Sequence, residues 1–191
     1  MSKVFDNQKI ENQQWKDAKI EHHEFDNCTF HACDFSGASL FSSNFVDCQF
    51  FDCNFAMTNL ANVLLHGVKF HNCKVLGVQF NLCNDFIFDV CFQDSILGYS
   101  SFGKRKMPKT VFKNCSLKGV DFIDAQLKQA KFENCNLDEA VFIGTNLQEV
   151  NFTTSYNYTI NLQDNFVKKT RFGKDELAGL LRNFDIIIEN N

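Results

Sequence analysis

The chain predicts an all-β solenoid with four-sided coils, on three observations. A large apolar residue recurs at nearly every fifth position from Phe5 through Ile10, Trp15, Ile20, Phe25, Phe30 and Phe35 to Val75 and Phe80. Two residues before each of these the side chain is usually small or thin, as at Cys28, Cys33, Ala38, Ser43, Cys48, Cys53, Thr58 and Val63. Positions twenty apart are chemically uniform: Phe92, Phe112, Phe132, Phe152 and Phe172 form one column, Leu97, Leu117 and Leu137 a second, Phe102, Phe122 and Phe142 a third. A period of five matches neither the 3.6 of a helix nor the 2.0 of a strand. A short-repeat solenoid does match, with four five-residue walls to a coil and each coil burying its inner face on the next.

Taken in order, the repeats start at Phe5. After Phe80 the count slips by two residues within Asn81-Leu82-Cys83-Asn84-Asp85-Phe86, which predicts a bulge or small corner loop, and it resumes at Ile87 and Phe92. The segment Gly103-Lys104-Arg105-Lys106-Met107-Pro108-Lys109 resembles an inserted basic loop, yet Phe102, Met107 and Phe112 keep the count. It adds no net residues. Arg105 falls in a small inward slot where a charge is costly, so a distorted repeat with its charges in solvent is expected there. Repeats run to Phe172, about 8.5 coils, for a rod roughly 40 Å long at about 4.8 Å per coil.

Two segments result: a solenoid over 1–172 and a terminal piece over 173–191. In the latter, Lys174-Asp175-Glu176 places acids at a helix start. Leu177, Leu180, Leu181 and Phe184 then recur at i, i+3, i+4 and i+7 as a helix face, and Asp185-Ile186-Ile187-Ile188-Glu189 reads as a short strand. This terminal element serves as the cap of an open solenoid end or as a dimer contact through Leu177, Leu180, Leu181, Phe184, Ile186, Ile187 and Ile188, since three successive isoleucines cannot all face one small core.

Composition narrows the function. Met1-Ser2-Lys3 leads directly into repeats, and no run of 18 apolar residues follows, which predicts a cytoplasmic protein away from membranes. Eight of the nine cysteines occupy the small inward slot, where a free thiol behaves as a small hydrophobe, so disulfides, metal and cofactors are not expected. Seventeen of the 23 phenylalanines fall on the inward register and report core rather than a base-stacking surface. His22, His23, His31, His66 and His71 are placed off that register, on the surface, and no histidine pairs with a Ser or Cys at a spacing that suggests catalysis. An enzyme is therefore not expected. The net charge of −4 argues against direct nucleic-acid binding.

Cys33-Asp34-Phe35, Cys53-Asn54-Phe55, Thr58-Asn59-Leu60, Cys135-Asn136-Leu137 and Thr145-Asn146-Leu147 give the chain its resemblance to the pentapeptide-repeat family, whose unit is Ala-(Asp/Asn)-Leu-x-x with Phe often replacing Leu. The resemblance implies a right-handed quadrilateral β-helix. From Ser155 to Ile188 the chain resembles the C-terminal segments of the quinolone-resistance (Qnr) and microcin-immunity type. That resemblance implies a homodimer through the tail and an acidic rod that engages DNA gyrase or topoisomerase IV in the manner of duplex DNA. The Qnr proteins carry projecting loops, which this chain lacks.

Charge supplies the candidate partner surface. Residues 1–100 hold 6 basic against 12 acidic side chains, residues 101–191 hold 13 against 11, and no basic residue lies between Lys19 and Lys69. Glu21, Glu24, Asp26, Asp34, Asp47 and Asp52 fall within that acid-only stretch. They read either as a solvated surface or as an imitation of phosphate charge, and the rod as a DNA mimic on a topoisomerase or as a binding module for an unrelated protein.

Overall fold

The computed structural model describes residues 2–184 and 186–189. Its strands are short and parallel, and they stack into a β-solenoid of about eight turns. The first face is built by Val4–Asp6, Glu24–Asp26 and Asn44–Val46, paired in register with Phe25 against Phe45. A second face continues along nearly the whole rod, through Val111–Lys113, Lys131–Glu133, Asn151–Phe152 and Arg171–Phe172. Single bridges mark the third face, from Gln14 through Asp34, Asn54, Lys74, Ile96, Ser116 and Asn136 to Tyr156. Others mark the fourth, from Gln79 through Ser101 and Asp121 to Val141. Partners twenty apart are the rule that the columns of the sequence predicted.

Phenylalanine fills the interior because two ladders meet at right angles. On the second face Phe112 stacks on Phe132 with centroids 4.9 Å apart, and on the fourth Phe102 stacks on Phe122 at 5.5 Å. Between the ladders the rings meet edge to face, as for Phe102 and Phe112 at 80°. Offset stacks and edge-to-face pairs are the two arrangements that the ring quadrupole favours, and a square section supplies both at every coil.

Small slots are equally specific. The Cys48 thiol donates to Phe25 O at 3.4 Å, and the Thr58 hydroxyl to Phe35 O at 2.8 Å. A slot residue thus reaches a carbonyl of the coil below, which is why Cys, Ser and Thr interchange there with Ala and Val. His23 also belongs to this slot, two residues before Phe25. It is half-buried against the rings of Phe5 and Phe25, a correction to its expected surface position.

Corners require a left-handed residue once per wall. Among the described residues 24 non-glycine positions have positive φ, and 13 of them are Asn or Asp, whose short polar side chains tolerate that region. Corner side chains also bridge coils: Asn72 donates to Asp52 at 2.6 Å and Asn114 to Asp94 at 2.7 Å.

The slip is absorbed where the sequence placed it, but the inward register resumes at Phe88, which pairs with Leu65 and packs on the core, rather than at Ile87. Gln79 bridges Ser101, a 22-residue coil, and a 3₁₀ turn at Phe80–Leu82 takes up the excess. Phe70 still stacks on Phe92 at 4.9 Å, so the ladder runs through without a gap.

Two expectations need correction. Arg105 is buried, only 3% exposed, and its charge is not in solvent. The extra residues leave the carbonyls of Cys83 and Asn84 without a backbone donor among the described residues, and the guanidinium supplies one to each. At the chain's end a helix does begin at Lys174, but it is a 3₁₀ helix, Lys174–Leu180, rather than a longer amphipathic one. Residues 186–189 carry no strand, and Asp185 lies outside the described residues. A strand needs a hydrogen-bonding neighbour, and none is offered to Ile186–Glu189 among the described residues.

Candidate interaction surfaces

The six acidic candidates do not form one patch. Glu24 and Asp26 flank Phe25 on the first face, exposed, their carboxylates without a hydrogen bond among the described residues. Asp6 pairs with Asp26 in the ladder and adds a third carboxylate to that face. Asp47 sits at the next corner with its carboxylate folded over Gly67, where a Cβ would collide with it, so Gly67 is needed both for its φ of +64° and for clearance. Asp52 turns the following corner and accepts from Asn72. Asp34, on the third face, accepts from the Ser36 backbone N–H at 2.9 Å; hydrogen bonds from Ser36 hold its carboxyl below the usual range. Glu21 accepts from the Ser39 hydroxyl at 2.5 Å. Four of the six therefore do intercoil or turn work, and the free negative charge gathers on the first face.

At the slip, Arg105 makes a clamp that sequence reasoning missed. Its Nη1 donates to Cys83 O at 2.9 Å and to Asp85 Oδ1 at 2.6 Å, its Nη2 donates to Asn84 O at 2.7 Å, and the guanidinium lies 4.4 Å over the Phe88 ring. A planar fork of fixed geometry serves two carbonyls and a carboxylate at once while its face lies on an aromatic ring. The signal was present: a charged residue in an inward slot, one coil above a segment with surplus backbone. Beside the clamp, Phe86 is 84% exposed over a groove of about 460 Å³ lined by Phe88, Lys104 and Lys106.

The tail separates into two roles. Leu180 is buried against the last coil and acts as cap, so it is not available as a dimer contact in the way the sequence suggested. Leu177, Leu181, Phe184, Ile186, Ile187 and Ile188 all stand exposed, Ile187 at 89%. A shallow groove of about 350 Å³ runs among Leu181, Phe184, Ile186 and Ile188.

The interior thiols are buried and free. Burial pushes Cys48 and Cys83 up to about 12. No cluster of three metal-ligating side chains is found among the described residues, and no helix among them is long and apolar enough to cross a membrane.

A parallel solenoid with five-residue walls and a phenylalanine-filled interior is the class of protein this geometry defines. Residues 48–84 match the profile for pentapeptide repeats (8 copies) and residues 105–181 that for a pentapeptide repeat region. The chain belongs to the pentapeptide-repeat family. Among solved structures it is similar to two trypsin-treated variants of QnrB1, described as a plasmid-mediated fluoroquinolone resistance protein. Identity is 16% for both. The first has a TM-score of 0.56 with 99% of this chain and 100% of that chain covered, the second 0.54 with 100% of each. HetL, a pentapeptide repeat protein involved in heterocyst differentiation regulation from a Nostoc cyanobacterium, matches at 13% identity and TM-score 0.42 over 88% of this chain and 87% of that one. A search of the curated proteins finds no sequence match.

Proposed function

We propose that this protein is a non-enzymatic, cytoplasmic interaction rod that docks on a type II topoisomerase, DNA gyrase or topoisomerase IV, as a homodimer joined through its tail. The observation that carries the reading is the end-to-end likeness of its fold to QnrB1, a fluoroquinolone resistance protein, over 99% of one chain and 100% of the other. Supporting it are a rod about 40 Å long, comparable to about 12 base pairs of duplex, and the carboxylates of Asp6, Glu24 and Asp26 on one face, of which only that of Asp6 accepts a hydrogen bond, from Asn7. The exposed apolar tail, with a segment that lacks a strand partner, supports the homodimer: pairing Ile186–Glu189 with its symmetry mate completes both edges. The test is a gyrase supercoiling assay titrated to micromolar protein. A dose-dependent change is expected, and an unchanged reaction overturns the reading.

A second reading, a rod-shaped module for an unrelated protein, is favoured by the scatter of the six acids over several faces. Charge reversal at Glu24 and Asp26 separates the two. Loss of the effect on gyrase supports the mimic, whereas capture of a defined partner other than a topoisomerase, lost on the same reversal, supports the module.

A further inference from the structure

Net charge hides how the fold sorts charge in the C-terminal half. On the first face Lys106, Lys128 and Lys168 point outward, all exposed. Lys109 and Lys169 turn the adjoining corner, each with positive φ. Lys113, Lys131 and Arg171 stand on the second face, where Lys131 and Arg171 belong to one ladder column two coils apart, about 10 Å. Only Glu133 and Glu149 interrupt these eight cations. Among the described residues none of the eight lies within ion-pair distance of a carboxylate, whereas on the opposite side Lys118 is paired with Asp138 at 3.0 Å. Glu139 turns the corner on that opposite side, and Asp121 stands on the fourth face.

We propose that this basic edge is a binding surface for the phosphate backbone of nucleic acid. Eight uncompensated cations over roughly 14 Å of rod make a field that no fold requirement explains. The outward side chains between them are amides, Gln126, Gln129, Asn146, Gln148 and Asn151, which with Lys and Arg are the usual donors to phosphate and sugar oxygens. Gln129, Lys131, Asn151, Lys169 and Arg171 line a shared groove of about 600 Å³. An acidic protein partner fits less well. Protein interfaces are anchored by clustered buried aromatic and aliphatic side chains, and the edge offers only two exposed large hydrophobes among the described residues, Phe86 beside Lys106 and Phe166 at the far end, well apart. One aromatic at the end of a basic track is instead a base-stacking position. Glu149 also lines this groove and stays ionised, so it offsets part of the field. Its carboxylate is held below the usual range first by the hydrogen bond from Gln129, then by Lys128, Lys169 and Lys168.

The inference is independent of the topoisomerase reading, because it concerns another half of the rod and a different ligand. The probe is a fluorescein-labelled duplex of about 20 base pairs, titrated by anisotropy at about 50 mM and about 200 mM salt. Contact with about five phosphates predicts roughly 500-fold weaker binding at the higher salt. Changing Lys131, Lys169 and Arg171 together to Glu is expected to weaken binding at least about tenfold, and the same three changed to Gln to give an intermediate loss. Lys74→Glu, on the third face, should stay within about twofold of the wild type. A circular dichroism melt of each variant shows that it is folded. No binding by the wild type at low salt, equal losses in the triple and Lys74→Glu variants, or tighter binding of poly-L-glutamate than of DNA each overturns the proposal.

Discussion

Before the slip, the outward positions of the first face carry Glu24 and Asp26; after it, the same columns carry Lys106, Lys128 and Lys168. Inside, the second-face ladder is unchanged across the slip, while the other phenylalanines pass from the first and third faces (Phe25 on Phe45, Phe35 on Phe55) to the fourth (Phe102 on Phe122). Phe30 stacks on Phe50 at 4.6 Å, and Phe112 stacks on Phe132 at 4.9 Å with nearly the same tilt. The two halves show that the inward pair of positions in each repeat decides the fold, while the outward three tolerate a full inversion of charge. Surface electrostatics is therefore a free variable in this architecture, and function resides there.

The largest expected effect tests the continuity of the second-face ladder. Phe50→Ala and Phe132→Ala should each cost about 3–5 kcal/mol in chemical unfolding, through the cavity left in a ladder that cannot collapse. A loss under about 1 kcal/mol in one half only would show that the two cores are not equivalent. Next comes the junction. Arg105→Met leaves Cys83 O and Asn84 O without donors and should cost about 1–3 kcal/mol. Faster hydrogen exchange should be confined to residues near 81–86, and spread into both halves would refute a local clamp.

Thiol content distinguishes the halves by pH. Seven of the nine cysteines precede residue 100. Cys48 and Cys83 rise from an ordinary 9.0 to about 12, chiefly because burial disfavours the thiolate. A raised folded pKa means that the folded state binds more protons than the unfolded one above the ordinary value. The contribution is whole below that value and is lost as pH climbs towards 12, by about 1.4 kcal/mol per unit for each thiol. The acidic half should thus open first between about pH 9 and 11, read by hydrogen exchange; simultaneous opening would contradict this ranking. Smallest in stability is the tail. Ile187→Glu should leave unfolding within about 0.5 kcal/mol, because the side chain is 89% exposed, yet yield monomers in sedimentation. An unchanged dimer would remove the tail from the interface.

Much of this was legible in one dimension. The inward ladder, the twenty-residue stacking and the site of the slip follow from periodicity, because each depends only on spacing along the chain. Arg105 did not follow, since its three acceptors come from a coil 20 to 22 residues earlier whose distortion no repeat pattern specifies. His23 was misplaced for a simpler reason: it stands in the slot, but its bulk argues against the slot. The basic edge was hidden by summation, as a net of −4 adds charges that the square section sends to opposite sides. The acids of the partner surface were found as a linear stretch, and linear neighbours in this fold face different directions every five residues.

Twenty residues close one coil on either side of the slip, and 22 close the coil that contains it. Length in such a molecule comes in quanta: duplicating one coil lengthens the rod by about 4.8 Å and leaves both ends and every other wall in phase. The 22-residue coil is the place where that phase was once reset without loss, and so marks where the ruler tolerates an uneven graduation.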